Sequence, residues 1–186
     1  MSKIGSKQII IPDTVTVSVD KQTVIIKGKA GELKIILPQV IKIDQQEKRL
    51  ILKPLKNNKQ AHSWHGLFRQ LIANAVMGVE MPWMKKLEIV GTGYNVKLQG
   101  EDLVFKLGYS HPVIFKKKAG VDYQVDGNNK LTVRGVDKQL VGEIAYQIKI
   151  IKKPDSYKGK GIRYLGERIK LKPSKKVKAV GSVAAS

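Results

Sequence analysis

Residues 15–27 read Val-Thr-Val-Ser-Val-Asp-Lys-Gln-Thr-Val-Ile-Ile-Lys, and this stretch predicts two strands joined by a short polar break. Val15, Val17 and Val19 alternate with polar residues, and the alternation resumes at Val24 and Ile26. Alternation with a period of two buries one face of a strand and leaves the other in water, as in antiparallel sheets. The stretch therefore favours an antiparallel sheet with one buried face.

The same pattern recurs 79 residues further along the chain. At that offset residues 17–27 fall on residues 96–106 with their apolar positions in phase, and Lys59-Gln60 falls on Lys138-Gln139. A single offset over this length favours a tandem duplication. The alternative is chance alternation in two strand-rich halves.

Each half then continues into an amphipathic helix. In the first, the polar pair Asn57-Asn58 can cap a helix whose apolar residues recur at 3.6-residue spacing over residues 61–76, and Gly78 suits the position after its end. In the second, Asp137 is the cap candidate and Pro154 ends the helix. We therefore predict an α+β fold of two tandem related domains, each an antiparallel β-sheet packed against one α-helix. The N-terminal domain spans residues 1–82 and the C-terminal domain spans residues 83–186.

The amino-acid composition excludes several classes of protein and of binding site. The chain has 186 residues, with 35 Lys and Arg against 15 Asp and Glu, a net charge of +20. Cysteine is absent, which excludes disulfides, zinc–thiolate sites, iron–sulfur clusters and thiol nucleophiles. No apolar run approaches the roughly 20 residues of a membrane span, and no signal peptide is evident, so a cytoplasmic protein with a polyanionic partner is expected.

Half of the charge lies in one stretch. Residues 149–178 hold twelve basic residues against Asp155 and Glu167, a net charge of +10. Within it, glycines 159 and 161 allow a close backbone approach or a positive φ, cations surround the turn, and two tyrosines could stack on bases. A solvated basic tail or an ordinary glycine turn are the alternatives. The turn matches neither a Walker A loop nor a dinucleotide fingerprint.

No enzyme is predicted. His62 and His65 stand three residues apart, a spacing that can hold a metal, but no third ligand is evident and packing or RNA contact is favoured. His111 follows Ser110 directly, and neighbours on a strand point to opposite faces, so they do not form a catalytic pair. The carboxylates are scattered. We predict no catalytic residue, no metal site and no cofactor.

The stretch Pro154-Asp-Ser-Tyr-Lys-Gly-Lys-Gly-Ile-Arg-Tyr164 closely resembles the signature of the bacterial-type large-subunit ribosomal protein six family. The resemblance continues in Lys27-Gly-Lys-Ala-Gly-Glu-Leu33, Lys86-Leu-Glu-Ile-Val-Gly-Thr-Gly-Tyr94 and Leu107-Gly-Tyr-Ser-His-Pro-Val113, and extends to about Gly166. It implies two related domains, the second of which binds large-subunit ribosomal RNA near the sarcin–ricin loop and the region where translation factors dock.

Carried over to this chain, the resemblance assigns rRNA binding to Tyr157, Lys158, Gly159, Lys160, Gly161, Arg163 and Tyr164. Charge clustering adds Lys149, Lys152, Lys153, Arg168, Lys170, Lys172, Lys175 and Lys176. Neighbouring large-subunit ribosomal proteins are further expected partners, translation factors are expected nearby, and no membrane is expected. The expected location is the ribosome, in the cytoplasm or in a plastid.

Three rival functions remain. An architectural protein that binds nucleic acid without specificity would bind duplex DNA and ribosomal RNA equally. A peripheral membrane protein would need a basic amphipathic helix with a large apolar face, which the C-terminal stretch lacks. An RNA-modifying enzyme would need a set of catalytic residues, and none is evident in the sequence.

Overall fold

The computed structural model describes residues 3–20, 22–46 and 48–173. The first half contains β1 (Ile9–Ile10), β2 (Thr16–Asp20), β3 (Thr23–Gly28), β4 (Gly31–Ile36), β5 (Ile41–Gln46), β6 (Arg49–Pro54) and α1 (Lys59–Glu80). The second half contains β7 (Trp83–Val90), β8 (Asn95–Gln99), β9 (Asp102–Lys106), β10 (Val113–Phe115), β11 (Val121–Asp126), β12 (Lys130–Gly135), α2 (Lys138–Ile151) and β13 (Gly161–Tyr164).

The strands of each half form two antiparallel sheets. In the first half the orders are β2-β3-β4 and β1-β6-β5. In the second they are β8-β9-β10 and β11-β12-β7-β13. The second half thus repeats the pairing of the first, with β7, β12 and β11 in the places of β1, β6 and β5. The α+β fold with tandem related domains is confirmed.

Each domain has its own apolar core beside its helix. In the first, buried Leu50 and Leu52 of β6 lie in one cluster with Ile72 and Val76 of α1. In the second, Leu131 and Val133 of β12 lie in one cluster with residues of α2, including Ile144 and Ile148. Strand alternation and helical periodicity therefore meet at the same buried layer, as the sequence predicts.

The predicted helix starts are confirmed. The side chain of Asn58 accepts a hydrogen bond from the backbone N–H of Ala61 at 3.0 Å. The side chain of Asp137 accepts one from the N–H of Gln139 at 2.8 Å. Each cap satisfies a backbone donor that the first helical turn leaves free.

The prediction for Gly78 is wrong. It lies inside α1, which continues to Glu80, rather than after the helix end. A β-carbon at Gly78 would overlap the carbonyl oxygen of Val136 and the indole of Trp83. Glycine is therefore required here because the second domain approaches the backbone of the helix. The contact joins residues 58 positions apart, so no local sequence pattern reveals it.

Polar contacts also join the two domains. The indole N–H of Trp83 donates to the carbonyl oxygen of Asn74 at 3.0 Å. The ammonium of Lys138 donates to the side-chain oxygen of Asn74 at 3.2 Å and lies 4.2 Å from the centre of the Trp83 ring. The break between α1 and β7 contains Pro82, and the domain boundary after that residue stays a prediction. Among the described residues, no helix is long and apolar enough to cross a membrane.

Candidate nucleic-acid interface

The basic stretch begins where α2 ends. The chain leaves the helix after Ile151, forms a loop over residues 153–160, here called the basic loop, and returns as β13. β13 pairs antiparallel with β7, with Ile162 opposite Ile89, and the N–H of Ile162 donates to the carbonyl oxygen of Lys152 at 2.8 Å. Because Ile162 is fully buried, the end of the loop is anchored in the core of the second domain.

Both glycines of the loop are required by its conformation. Gly159 has a φ of 69°, which side chains rarely allow. Gly161 has a φ of 149°, and a β-carbon there would lie 2.7 Å from the carbonyl oxygen of Lys153 and from Cα of Pro154. Both glycines therefore have the predicted positive φ, and the close approach at Gly161 is made by the protein's own backbone.

Asp155 organises the basic loop. Its carboxylate accepts a hydrogen bond from the N–H of Lys158 at 3.0 Å, and its carbonyl oxygen accepts one from the N–H of Gly159 at 2.9 Å. Its own N–H donates to the carbonyl oxygen of Lys160 at 2.9 Å. The N–H groups of Lys158 and then Tyr157 hold the pKa of Asp155 below its usual value. The N–H groups of Lys158 and Gly159 are therefore already hydrogen-bonded within the loop.

Glu167 fastens the segment that follows β13. Residues 165–172, here called the return segment, turn back toward the basic loop, and the N–H of Lys172 donates to the carbonyl oxygen of Ser156 at 2.8 Å. The ammonium of Lys149 donates to the two carboxylate oxygens of Glu167 at 2.6 and 2.8 Å. The N–H of Tyr164 donates to the same carboxylate at 3.0 Å. The Lys149 ammonium, and after it the Tyr164 amide, lower the pKa of Glu167.

Two other predicted cations also have protein partners. The guanidinium of Arg163 donates two hydrogen bonds to one oxygen of Glu88, its cross-strand neighbour, at 3.0 and 2.9 Å. The ammonium of Lys160 donates to the hydroxyl of Thr92 at 3.3 Å. These contacts hold the loop against β7 and the residues that follow it.

Among the six predicted cations that remain in the described stretch, Lys152 is half-buried. The other five are exposed, and their side chains make no hydrogen bond or ion pair with any described residue. They are Lys153 and Lys158 of the basic loop and Arg168, Lys170 and Lys172 of the return segment. Lys158 and Arg168 line one groove of about 520 Å³, together with Gly159 and Arg163. Arg168 also lines a second groove of about 390 Å³, with Lys153 and Lys170. These cations are available to an outside anion.

The two predicted stacking tyrosines differ in their surroundings. Tyr157 is 61% exposed, so its ring is open to a partner. Tyr164 packs against the core of the second domain, and the ammonium of Lys149 lies 4.5 Å from its ring centre. Lys152 similarly lies over the ring of Tyr109, at 4.2 Å. Tyr157 is therefore free to stack, whereas Tyr164 already has protein contacts.

Lys175 and Lys176 lie outside the described residues. Asp155, Glu167 and Glu88 are the residues that the sequence did not assign to the site, although each positions part of it. For Asp155 and Glu167 the sequence signal was their occurrence as isolated acids within a basic stretch, whereas Glu88 is brought opposite Arg163 only by strand pairing.

The two histidines of α1 have other contacts. His65 is buried, and its Nε2 lies 2.9 Å from the carbonyl oxygen of Leu52. Nε2 of His62 lies 2.7 Å from the side-chain oxygen of Asn57. These positions support the packing interpretation of His65.

Comparison with known proteins agrees with this architecture. The family model described as ribosomal protein L6 matches residues 11–81 and 90–165. The chain belongs to the ribosomal protein L6 family. The two matched segments correspond to the two domains and support the internal duplication, and the resemblance noted in the sequence is confirmed.

Relatives within the L6 family extend over nearly the whole chain. A protein of Natranaerobius thermophilus named large ribosomal subunit protein uL6 is 44% identical over 169 residues, 91% of this chain and 95% of that protein. A protein of the same name from Synechococcus sp. strain WH7803 is 45% identical over 175 residues, 94% of this chain and 98% of that protein. Because L6 proteins are structural proteins and not enzymes, the prediction of a non-enzymatic chain is confirmed.

Proposed function

We propose that the chain is a structural constituent of the large ribosomal subunit and binds large-subunit ribosomal RNA mainly through its C-terminal domain. The observation that carries this proposal is the group of exposed, unpaired cations on the basic loop and return segment. Asp155 and Glu167 hold the backbone that presents those cations. A held backbone lowers the entropy lost when an RNA orders the site.

Phosphates are the main target of these side chains. Lys and Arg replace condensed counterions on the RNA backbone, so affinity falls steeply as salt rises. For about 6–8 phosphate contacts the log–log slope is roughly −4 to −6 on single-strand-like RNA. Selectivity arises from RNA shape, because a loop closed by internal hydrogen bonds fits only some backbone paths, and from stacking on the exposed ring of Tyr157.

The family resemblance directs the proposal to one region of the subunit. The C-terminal domain lies near the sarcin–ricin loop and the region where translation factors dock, with other large-subunit proteins as neighbours. The chain works on ribosomes of the bacterial cytoplasm or of plastids, and similarity to Synechococcus proteins is compatible with both.

The test compares matched charge removals in the full-length chain. We expect the variant K153Q/K158Q/K170Q to bind large-subunit rRNA about 10–100-fold more weakly and with a slope about two to three units smaller. The control K7Q/K29Q/K56Q removes three exposed lysines of the first domain and should change binding little. Equal losses in both variants would mean that the charge acts only generically.

A competitor separates rRNA recognition from general nucleic-acid binding. With an equal mass of duplex DNA present, the rRNA complex of the unaltered chain should persist at physiological salt. Displacement in proportion to phosphate would instead support the architectural, nonspecific function.

A further inference from the structure

One face of α2 carries two large apolar side chains that the core does not cover. Tyr146 is 55% exposed and Ile150 is 43% exposed. Residues four apart lie next to each other on a helix surface, so the two side chains form one patch. Neither belongs to the apolar cluster of the second domain.

This patch forms one wall of the 390 Å³ groove, and the return segment forms the other. Ile169 of that segment also lines the groove, half-buried between the walls. The groove therefore offers an aromatic ring and aliphatic side chains to a flat group, within a surface that is otherwise basic.

Charge around the groove is positive on balance. Glu167 and Lys149 neutralise each other across it. Lys153, Arg168 and Lys170 remain unpaired among the described residues, and all three are exposed. Glu143, one turn before Tyr146, is exposed and accepts a hydrogen bond from Gln147 at 2.8 Å. The positive side thus faces the C-terminal end of the helix and the basic loop.

We propose that this groove binds an unpaired nucleotide of the RNA, with the base against Tyr146 and Ile150 and the adjoining phosphates on Lys153, Arg168 and Lys170. The proposal rests on the proposed RNA-binding function and adds a base-binding subsite to it. Stacking on an aromatic ring suits any base because every base has a π-face, while the cations hold the charged backbone.

The groove fits RNA better than a protein or a membrane. Arg168 lines both this groove and the 520 Å³ groove beside the basic loop, so one strand can pass from one to the other around the return segment. Two exposed apolar side chains provide far less apolar area than stable protein interfaces bury. Unpaired cations at the rim complement phosphate directly.

Full-length variants test the subsite. We expect Y146A to weaken binding to large-subunit rRNA about tenfold without changing the salt slope, because the lost contact carries no charge. Y146F should bind like the unaltered chain, since stacking does not need the hydroxyl. I114A is the matched control, because Ile114 is 60% exposed on β10 and should not matter. Thermal unfolding checks that each variant is folded.

Each outcome bears on the proposal separately from the parent function. If the unaltered chain binds rRNA and Y146A binds equally well, the subsite is wrong and the parent function stands. If Y146A keeps RNA affinity but no longer enters the large subunit during reconstitution, the patch contacts a protein and the proposal is overturned. If the unaltered chain does not bind rRNA, both proposals fail together.

Discussion

The two domains share a frame and differ at its edge. In the first domain α1 runs for 22 residues, and β1, only two residues long, ends the sheet that β6 and β5 complete. In the second domain α2 stops after 14 residues, β7 has eight, and β13 pairs with its free side. The positions that lengthen the first helix correspond, at the repeat offset, to the basic loop of the second. The candidate site is therefore an elaboration of one copy of a duplicated unit.

The two domains also differ in where their ion pairs lie. In the first, lysines of the sheets pair with acids of the sheets, as Lys53 does with Asp44 at 2.8 Å and Lys27 with Glu32 at 3.2 Å. In the second, the pairs Lys149–Glu167 and Arg163–Glu88 hold the basic stretch. Five exposed cations make no hydrogen bond or ion pair with a described residue: Lys153, Lys158, Arg168, Lys170 and Lys172. Ion pairs therefore hold the backbone of the basic stretch, and we propose that the unpaired cations bind RNA.

The largest expected effect comes from glycines that serve different contacts in the two domains. G161V places a branched side chain against Lys153 and Pro154, so β13 cannot dock and rRNA binding should fall at least about 100-fold. G78V instead strains the contact of α1 with Val136 and Trp83, and overpacking of this kind typically costs about 1–3 kcal/mol of unfolding free energy. Binding isotherms and thermal unfolding of both variants measure the difference.

The control for this pair is G142A on α2, where a β-carbon meets no atom within 4 Å. It should leave binding intact and raise the free energy of unfolding by about 0.5–1 kcal/mol, because alanine favours the helix. Intact rRNA binding by G161V would show that β13 docking is not needed to present the cations.

The strands, helices and helix caps of the two domains could be predicted from the sequence. The residues that position the candidate site could be predicted only in part. Strands and helices can be identified from alternation and periodicity because these patterns involve residues that are close in the sequence. The caps Asn58 and Asp137 are predictable for the same reason, since each side chain bonds an amide two or three residues away. Gly78 was misassigned because its contact, Val136, comes from the other domain. Asp155 and Glu167 were counted only as subtractions from the charge. Their partners are backbone amides and, for Glu167, the Lys149 ammonium, and only the completed fold brings these groups together.

An intermediate effect should appear on acidification. The pKa of Glu167 is lowered from its usual 4.5 by Lys149 and the Tyr164 amide, so its stabilising contribution is present above that pH. It is lost as the pH falls through the lowered value, and the return segment should then loosen before the sheet unfolds. The amide resonance of Tyr164, followed by NMR from pH 6 downward, reports this step.

Matched variants separate the carboxylate from general acid unfolding. E167Q should remove the acid transition at the Tyr164 amide and weaken the return segment at neutral pH. D44N in the first domain removes a carboxylate whose pKa is lowered mainly by Lys53, and it should leave the Tyr164 transition in place. An unchanged transition in E167Q would assign it to another group, with Asp155 and the Lys158 amide the first to examine.

The smallest expected effect distinguishes the two kinds of cation within the second domain. Lys158 is exposed and its ammonium makes no hydrogen bond or ion pair with a described residue, so K158A should weaken rRNA binding a few-fold and reduce the salt slope by about one unit. The thermal stability of K158A should not change.

Lys149 holds Glu167, and the side chain of Lys149 is only 19% exposed. K149A should therefore cost about 1 kcal/mol of unfolding free energy, as partly exposed ion pairs do, and move the pKa of Glu167 back toward its usual value. Its salt slope should fall by clearly less than one unit, since that ammonium is already neutralised. The reverse pattern, with K149A altering the slope at unchanged stability and K158A destabilising the fold, would mean that Lys149 binds RNA and that the division between framing and binding cations is wrong.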